Sequence, residues 1–196
     1  MEKLTPQNLY SLEEYARVRS DFRAEVMAHK KNRRLQLGDH AALYFEDRLT
    51  MQYQVQEMLR IERIFEPEGI ADELNAYNPL IPDGNNWKAT FMLEYADENE
   101  RRQALAKLIG IERALWVQVE GFDKVHPVAN EDLERETEEK TSSVHFLRFE
   151  LSPAMSAAVK DGAKIHAGID HPAYRAECEI PPEVRDSLAA DLLQPA

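Results

Sequence analysis

The sequence predicts a single α+β domain in which long N-terminal helices pack on a mostly antiparallel sheet. Three observations predict it. Apolar residues recur at helical spacing early in the chain and alternate with polar ones through most of the remainder. Connections between neighbouring strand-like segments are short, which favours antiparallel pairing. No repeat, low-complexity tract or long Pro/Gly/Ser linker divides the 196 residues. Residues 1–196 are therefore read as one domain, with flexible ends at 1–6 and 194–196. At this length folding hides roughly 70% of the extended chain's surface, enough for a real core.

The elements follow in order. Ser11 and Glu14 form a capping-box pattern, and Leu12, Tyr15, Phe22 and Val26 make one apolar stripe, so a helix should run to Lys31. Gly38-Asp39 between two β-rich segments predicts a tight hairpin. A second long helix is expected from Arg48 to Phe65, with Pro67 marking its end. A shorter helix from Ile70 to Tyr77 leads into the loop NPLIPDGNN. In KATFMLEY, Phe91, Leu93 and Tyr95 alternate with Thr90, Met92 and Glu94, a strand buried mainly on one face. A helix from Glu98 to Ile109 follows, and then LWVQVEG and VHPVAN are expected to pair across a turn at Phe122 to Lys124. Asn130 is expected to cap an acidic helix, EDLERETEEK. The strand SSVHFLRFEL and a short helix opened by Pro153 come next. AKIHAGI and YRAECEI predict a hairpin around Asp170-His171-Pro172-Ala173, and Val184, Leu188 and Leu192 mark a closing helix.

Composition excludes several classes of function. A formal net charge of −12 argues against wrapping nucleic acid, which needs clustered cations. No apolar run approaches the roughly 20 residues that span a bilayer, and MEKLTPQNLYSLEEY lacks the apolar core of a secretory signal. Cys178 is the single cysteine, so no intrachain disulfide or cysteine-rich zinc site is expected, and a cytoplasmic location is the natural one. No nucleotide-binding glycine motif, G-x-S-x-G, H-E-x-x-H, C-x-x-C or Glu-x-x-His pair occurs. The cofactor, if there is one, is unknown from sequence.

A few polar residues carry the candidate chemistry. Glu62 falls on the stripe Val55, Met58, Leu59, Phe65, where a carboxylate needs a partner or a proton. It is read either as an edge residue paired with an arginine or as a perturbed acid or metal ligand. His145 shares a strand side with Leu147, Phe149 and Leu151, as a hydrogen-bonded core residue or as a ligand or proton shuttle. With Glu57 these two make the candidate metal or catalytic set. An enzyme without metal would still need a concave pocket holding a perturbed acid or base. The tract HKKNRR offers Lys30, Lys31, Arg33 and Arg34 as either a basic helix end or a docking patch for an acidic protein partner. Cys178 is expected on the inward side of its strand, and His171 in a structural role at its turn. His29 is placed for a local pair with Glu25, and Trp87 beside the long loop is read as capping the sheet edge or lining a pocket. A homodimer is an expectation only because symmetric dimers are common.

The strings RRLQLGDHAALYFEDRLTMQYQVQEMLRIERIFE, AYNPLIPDG, EEKTSSVHFLRFEL and DHPAY resemble a bacterial family known as domain of unknown function three-five-zero-one. The resemblance runs from Leu4 to Tyr174 and brings no activity, substrate or site residue with it. It implies a genomic neighbourhood containing rubrerythrin and an iron–sulfur-cluster-binding protein, and so a redox or oxidative-stress setting. The expectation is an accessory, partner-binding protein; the alternative is a small metal-binding protein or enzyme using Glu57, Glu62 and His145.

Overall fold

The computed structural model describes residues 2–137 and 139–193. It is a single α+β domain whose strands all pair antiparallel. Helix α1 (Leu12–Lys31) begins at Ser11, whose hydroxyl accepts from the Glu14 N–H while the Glu14 carboxylate accepts from the Ser11 N–H. Its inward residues are Tyr15, Phe22 and Val26, as the stripe predicts. Strands β1 (Arg34–Leu37) and β2 (Ala41–Glu46) form the expected hairpin. Gly38 turns it at φ +71°. The Tyr174 hydroxyl straps the turn, donating to the Leu37 carbonyl and accepting from the His40 N–H.

Helix α2 (Arg48–Glu62) stops three residues short of the predicted end. Arg63 enters the left-handed region at φ 56°, and the Ile64 N–H folds back to the Leu59 carbonyl. This is a turn-closing geometry that side chains other than glycine adopt at some cost. The break frees Pro67 to open α3 (Pro67–Tyr77) at its first position, which suits a residue with no N–H to donate. Glu62 and Phe65 consequently lie outside the core, Phe65 being 67% exposed. The segment expected to be flexible at the N-terminus is docked from its third residue on. Leu4 is buried and exchanges two hydrogen bonds with the Asn78 side chain, and Lys3 donates to the Ile81 carbonyl. The other expected flexible positions, Met1 and 194–196, lie outside the described residues.

One sheet was expected and two form. The larger has the order β1-β2-β3-β6-β5, with β3 (Asn86–Leu93), β5 (Val128–Ala129) and β6 (Val144–Glu150). The smaller has β4 (Leu115–Val119), β7 (Ile165–His171) and β8 (Tyr174–Glu179), in the order β4-β7-β8. Both contribute to one core, Leu43, Phe45, Trp87, Phe91 and Phe149 from the first and Leu115, Val117, Ile165 and Ile169 from the second. Helices α5 (Pro153–Lys160) and α6 (Pro182–Ala189) add Val159, Val184 and Leu188 to it. Two smaller apolar clusters sit under α1, α2 and α3. Gly168 on β7 lies opposite Trp116 because a Cβ there would stand 2.4 Å from the indole ring and 2.7 Å from the Ala176 carbonyl oxygen.

Trp87 is neither at an edge nor in a loop. It begins the inward register of β3, a strand paired on both sides, and its indole N–H donates to the Leu188 carbonyl at 3.0 Å. The expected pairing of LWVQVEG with VHPVAN survives only as the Val117–Val125 bridge. Beyond Pro127, which has no N–H to continue that ladder, Val128 and Ala129 pair with β6 instead. The acidic helix does not form among the described residues of 131–140, and Glu138 lies outside them. Its one large apolar residue, Leu133, is 55% exposed, so no apolar face exists for a helix to bury. After β3 the predicted helix stands as α4 (Glu98–Lys107).

Candidate functional site

The principal candidate cleft lies where two irregular segments face each other. One follows α4: Gly110 turns at φ +82° into a 3₁₀ turn, Ile111–Arg113, that leads into β4. Ile111 enters the main core and draws Glu112 inward with it, to 1% exposure. The other is residues 127–136, held to β6 by Asn130. Asn130 adopts φ +53°, a conformation asparagine tolerates better than most residues. Its backbone N–H donates to the Phe146 carbonyl at 2.8 Å, its side-chain oxygen accepts from the Phe146 N–H at 3.2 Å, and its Nδ2 reaches His145 Nδ1 at 2.9 Å. Between the segments is a cleft of about 370 Å³.

The cleft is strongly acidic. Glu112, Glu131, Asp132, Glu134 and Glu136 line it, against Arg113 and Arg135. Arg113 bridges two of the carboxylates, with Nη1 at 2.9 Å from Glu112 and Nη2 at 2.6 Å from Glu136. Glu136 also accepts from the Gly110 N–H. Glu112 Oε2, however, is buried with no donor in reach. Burial pushes the Glu112 carboxyl up from the ordinary carboxylate range, its own N–H and Arg113 oppose the shift, and Glu136 adds to it as a second carboxyl alongside. Arg113 answers one oxygen each of Glu112 and Glu136, which leaves Glu112 Oε2 as the buried acceptor without a donor.

A second, apolar cleft of about 230 Å³ adjoins the first, and Glu131 and Asp132 line both. Ala76 from the last turn of α3, with Pro79 and Leu80 from the 3₁₀ turn after it, faces Phe146 across it. Its cations are already matched. Lys88 donates to the Pro79 carbonyl and lies 3.0 Å from Asp83, and Arg148 is clamped between Glu131 and Glu150. The Arg135 guanidinium stacks 4.6 Å from the centre of the Phe146 ring and pairs with Asp132, forming a partition between the two clefts.

The candidates named from sequence lie elsewhere, apart from His145, which stands behind the acidic cleft. His145 is fully buried, with Nε2 3.0 Å from the Ser142 carbonyl and Nδ1 against the Asn130 amide. A carbonyl can only accept and Asn130 Nδ2 can only donate, so the ring is the neutral Nε2–H tautomer. Burial lowers its pKa in agreement. It is a satisfied core histidine that fixes Asn130. Glu57 binds the Tyr15 hydroxyl at 2.7 Å, Arg19 at 2.8 and 2.9 Å, and Arg60 at 3.2 Å, tying α1 to α2. Glu62 is exposed near the end of α2. The structure does not gather Glu57, Glu62 and His145, and among the described residues no group of three or more His, Cys, Asp or Glu is placed to hold a metal ion.

The basic tract also divides. Arg33 is 2% exposed and engaged inside the fold, while Arg34 is occupied by Tyr44, Gln36 and Glu94. Lys30 lies half-buried over the Tyr53 ring at 5.7 Å, and Lys31 is exposed, as is Arg34 despite its partners. The reason is strand parity: Arg33 has the same alternation as the inward Leu35 and Leu37. His29 pairs with Asp47 at 2.5 Å rather than with Glu25. Cys178 faces inward as expected, half-buried, with its thiol pushed up by burial. His171 is structural, with ring contacts to the Ile109 carbonyl and the Ala173 N–H.

Glu57 makes a pH prediction. Arg19 above all, then Tyr15 and Arg60, draw its pKa down to about 2 from an ordinary 4.5, against the opposing effect of burial. A depressed folded-state pKa gives stability that is present above the unfolded value and lost as pH falls toward 2. Glu57→Gln should lower stability at neutral pH by about 1–2 kcal/mol. It should also narrow the gap between neutral and ~pH 3, read as the shift in urea midpoint.

Of the residues that build the cleft, sequence reasoning singled out only Asn130 and the acidic run, and gave both a helical role. Glu112 sits in GIERALW with no periodicity to mark it. The usable signal was Gly110, a residue suited to a left-handed turn just after a helix. Such a turn can carry the next side chains inward.

The chain matches the family model described as "Protein of unknown function (DUF3501)" over residues 3–192. Among solved structures it is similar to a protein from Burkholderia pseudomallei described as a novel protein of unknown function. The two share 52% sequence identity and a TM-score of 0.93 over 97% of this chain and 100% of that one. No curated protein matches it. Among the described residues no helix is long and apolar enough to cross a membrane. The chain belongs to the DUF3501 family, a family of proteins of unknown function.

Proposed function

We propose that this is an accessory binding protein whose working site is the acidic cleft, and that the site takes a cationic group. Glu112 Oε2 carries the reading: an acceptor on a fully buried residue, without a donor, in a cleft with an excess of carboxylates. A cation brought there gains a charge-assisted hydrogen bond in a water-poor setting. The ligand so specified is an organic ammonium or a similar head group, in place of the acidic partner that the basic tract first suggested. The redox or oxidative-stress setting is retained as part of the proposal, supported by the family resemblance alone.

The test is a titration with butylamine followed by amide chemical shifts. Perturbations should centre on Gly110, Glu112 and Asn130, and Glu112→Gln should weaken binding by roughly tenfold or more. The same variant should fold at least as stably as the parent, because it removes a buried, poorly solvated carboxyl. Shifts confined to other surfaces, or unchanged binding by the variant, would refute the reading.

A further inference from the structure

We infer that the chain pairs with a second copy of itself through the end of α2, the Phe65 ring of each copy entering an apolar groove on the other. The groove, of about 400 Å³, lies between the start of α1 and the turn that joins α2 to α3. Tyr10, Leu12, Leu59, Ile64 and Ile70 give it apolar walls, and all but Tyr10 belong to one of the two smaller apolar clusters or pack against it. The left-handed Arg63 that stops α2 sends Ile64 inward to that cluster and leaves the next residue outside. Phe65 borders the groove yet stays 67% exposed, so it does not fill the space beside it. Ile61, in the last turn of α2, is 62% exposed. With Tyr10 these are three large apolar side chains held out to water around one end of α2.

Whatever covers this corner must bring an apolar knob for the groove and an apolar recess for Phe65. The patch itself holds both, and a two-fold contact presents one patch to its own copy, so each knob meets a hole. Its charges are self-matching too. Arg60, Glu62, Arg63 and Glu66 are exposed and alternate in sign around Ile61 and Phe65, and Glu13 lines the groove from α1. Facing copies can set guanidinium groups against carboxylates, whereas a partner of a single charge sign would be repelled by one set or the other. Pairing would also bury the kind of contiguous apolar surface that soluble monomers rarely leave in water. The acidic cleft takes no part, since it is built from Glu112, Arg113 and residues 127–136.

Sedimentation equilibrium of the parent should give twice the 22.6 kDa of one chain at micromolar concentrations. Two variants carry the test, each at an exposed position and each checked for folding by circular dichroism. Phe65→Ala removes the knob and keeps the hole, while Glu13→Trp fills the hole and keeps the knob. Each alone should dimerise roughly a hundredfold more weakly than the parent, as loss of a central aromatic anchor does. Mixed, the two should pair with one another more tightly than either pairs with itself, because one knob-and-hole contact is restored. A parent that stays monomeric up to its solubility limit would overturn the inference, whatever else the patch binds. So would variants that dimerise as well as the parent, or a mixture no tighter than its components.

Discussion

Replacing Arg33 with methionine is expected to destabilise the fold by about 3–5 kcal/mol, the usual consequence of removing one partner from a buried charged network. The guanidinium donates at 2.6 Å to Asp191 through Nη2, at 2.9 Å to the Phe45 carbonyl through Nε, and at 3.0 Å to the Glu46 carbonyl. It also contacts Ser187, and Asp47 stands 3.3 Å away. One side chain thus closes the β2–α2 junction onto the C-terminal segment. Without it two backbone carbonyls and the Asp191 carboxylate remain buried and unsatisfied. Burial already pushes Asp191 up to about 6 against the pull of Arg33, so loss of the arginine should leave Asp191 protonated at neutral pH. Combining Arg33→Met with Asp191→Leu should recover part of the loss, because an apolar pair strands no charge. Urea unfolding of the two single variants and the double variant measures this coupling.

Trp87→Ala should cost a comparable ~3–5 kcal/mol, since it empties the largest side-chain volume at the centre of the main core. The indole is fully buried in β3, between its pairings with β2 and β6, and its N–H satisfies the Leu188 carbonyl of α6. Trp87→Phe retains much of the volume but removes the indole donor, leaving the Leu188 carbonyl with the Asp191 N–H alone. It should fall between the parent and alanine, which separates packing from the hydrogen bond. For a chain of this length each kcal/mol corresponds to about 2–4 °C in midpoint temperature, so the alanine variant is expected to melt roughly 6–20 °C lower.

Much of the architecture was legible where local signals agree with one another. The Ser11–Glu14 box and the Tyr15, Phe22, Val26 stripe specify α1 without help from the rest of the chain. The Gly38-Asp39 and His171-Pro172 turns likewise mark their hairpins. The reading failed where a residue supports two local structures and only a distant partner chooses. Asn130 is as good a helix cap as it is a left-handed residue, and its contacts with His145 and Phe146 decide the matter. Parity held unused information for Arg33 and Trp87, which share the inward side of their strands with Leu35 and with Ala89 and Phe91. Both were assigned to the ends of elements rather than to their inward registers. Glu112 carried no comparable signal, because its burial depends on Ile111 reaching a core assembled from both sheets.

The chemistry proposed for the cleft rests on one feature: a cation reaching the unpartnered Glu112 oxygen takes the place of any proton on that carboxyl, which burial pushes up. Calorimetry of butylamine binding in two buffers of different ionisation enthalpy, repeated across a pH series, measures that exchange directly. Proton release should reach a substantial fraction of one per amine at pH values just below the raised Glu112 pKa, fade as the carboxyl ionises, and be absent in Glu112→Gln. Binding with no proton release at any pH, or with the same release in the variant, would contradict the account.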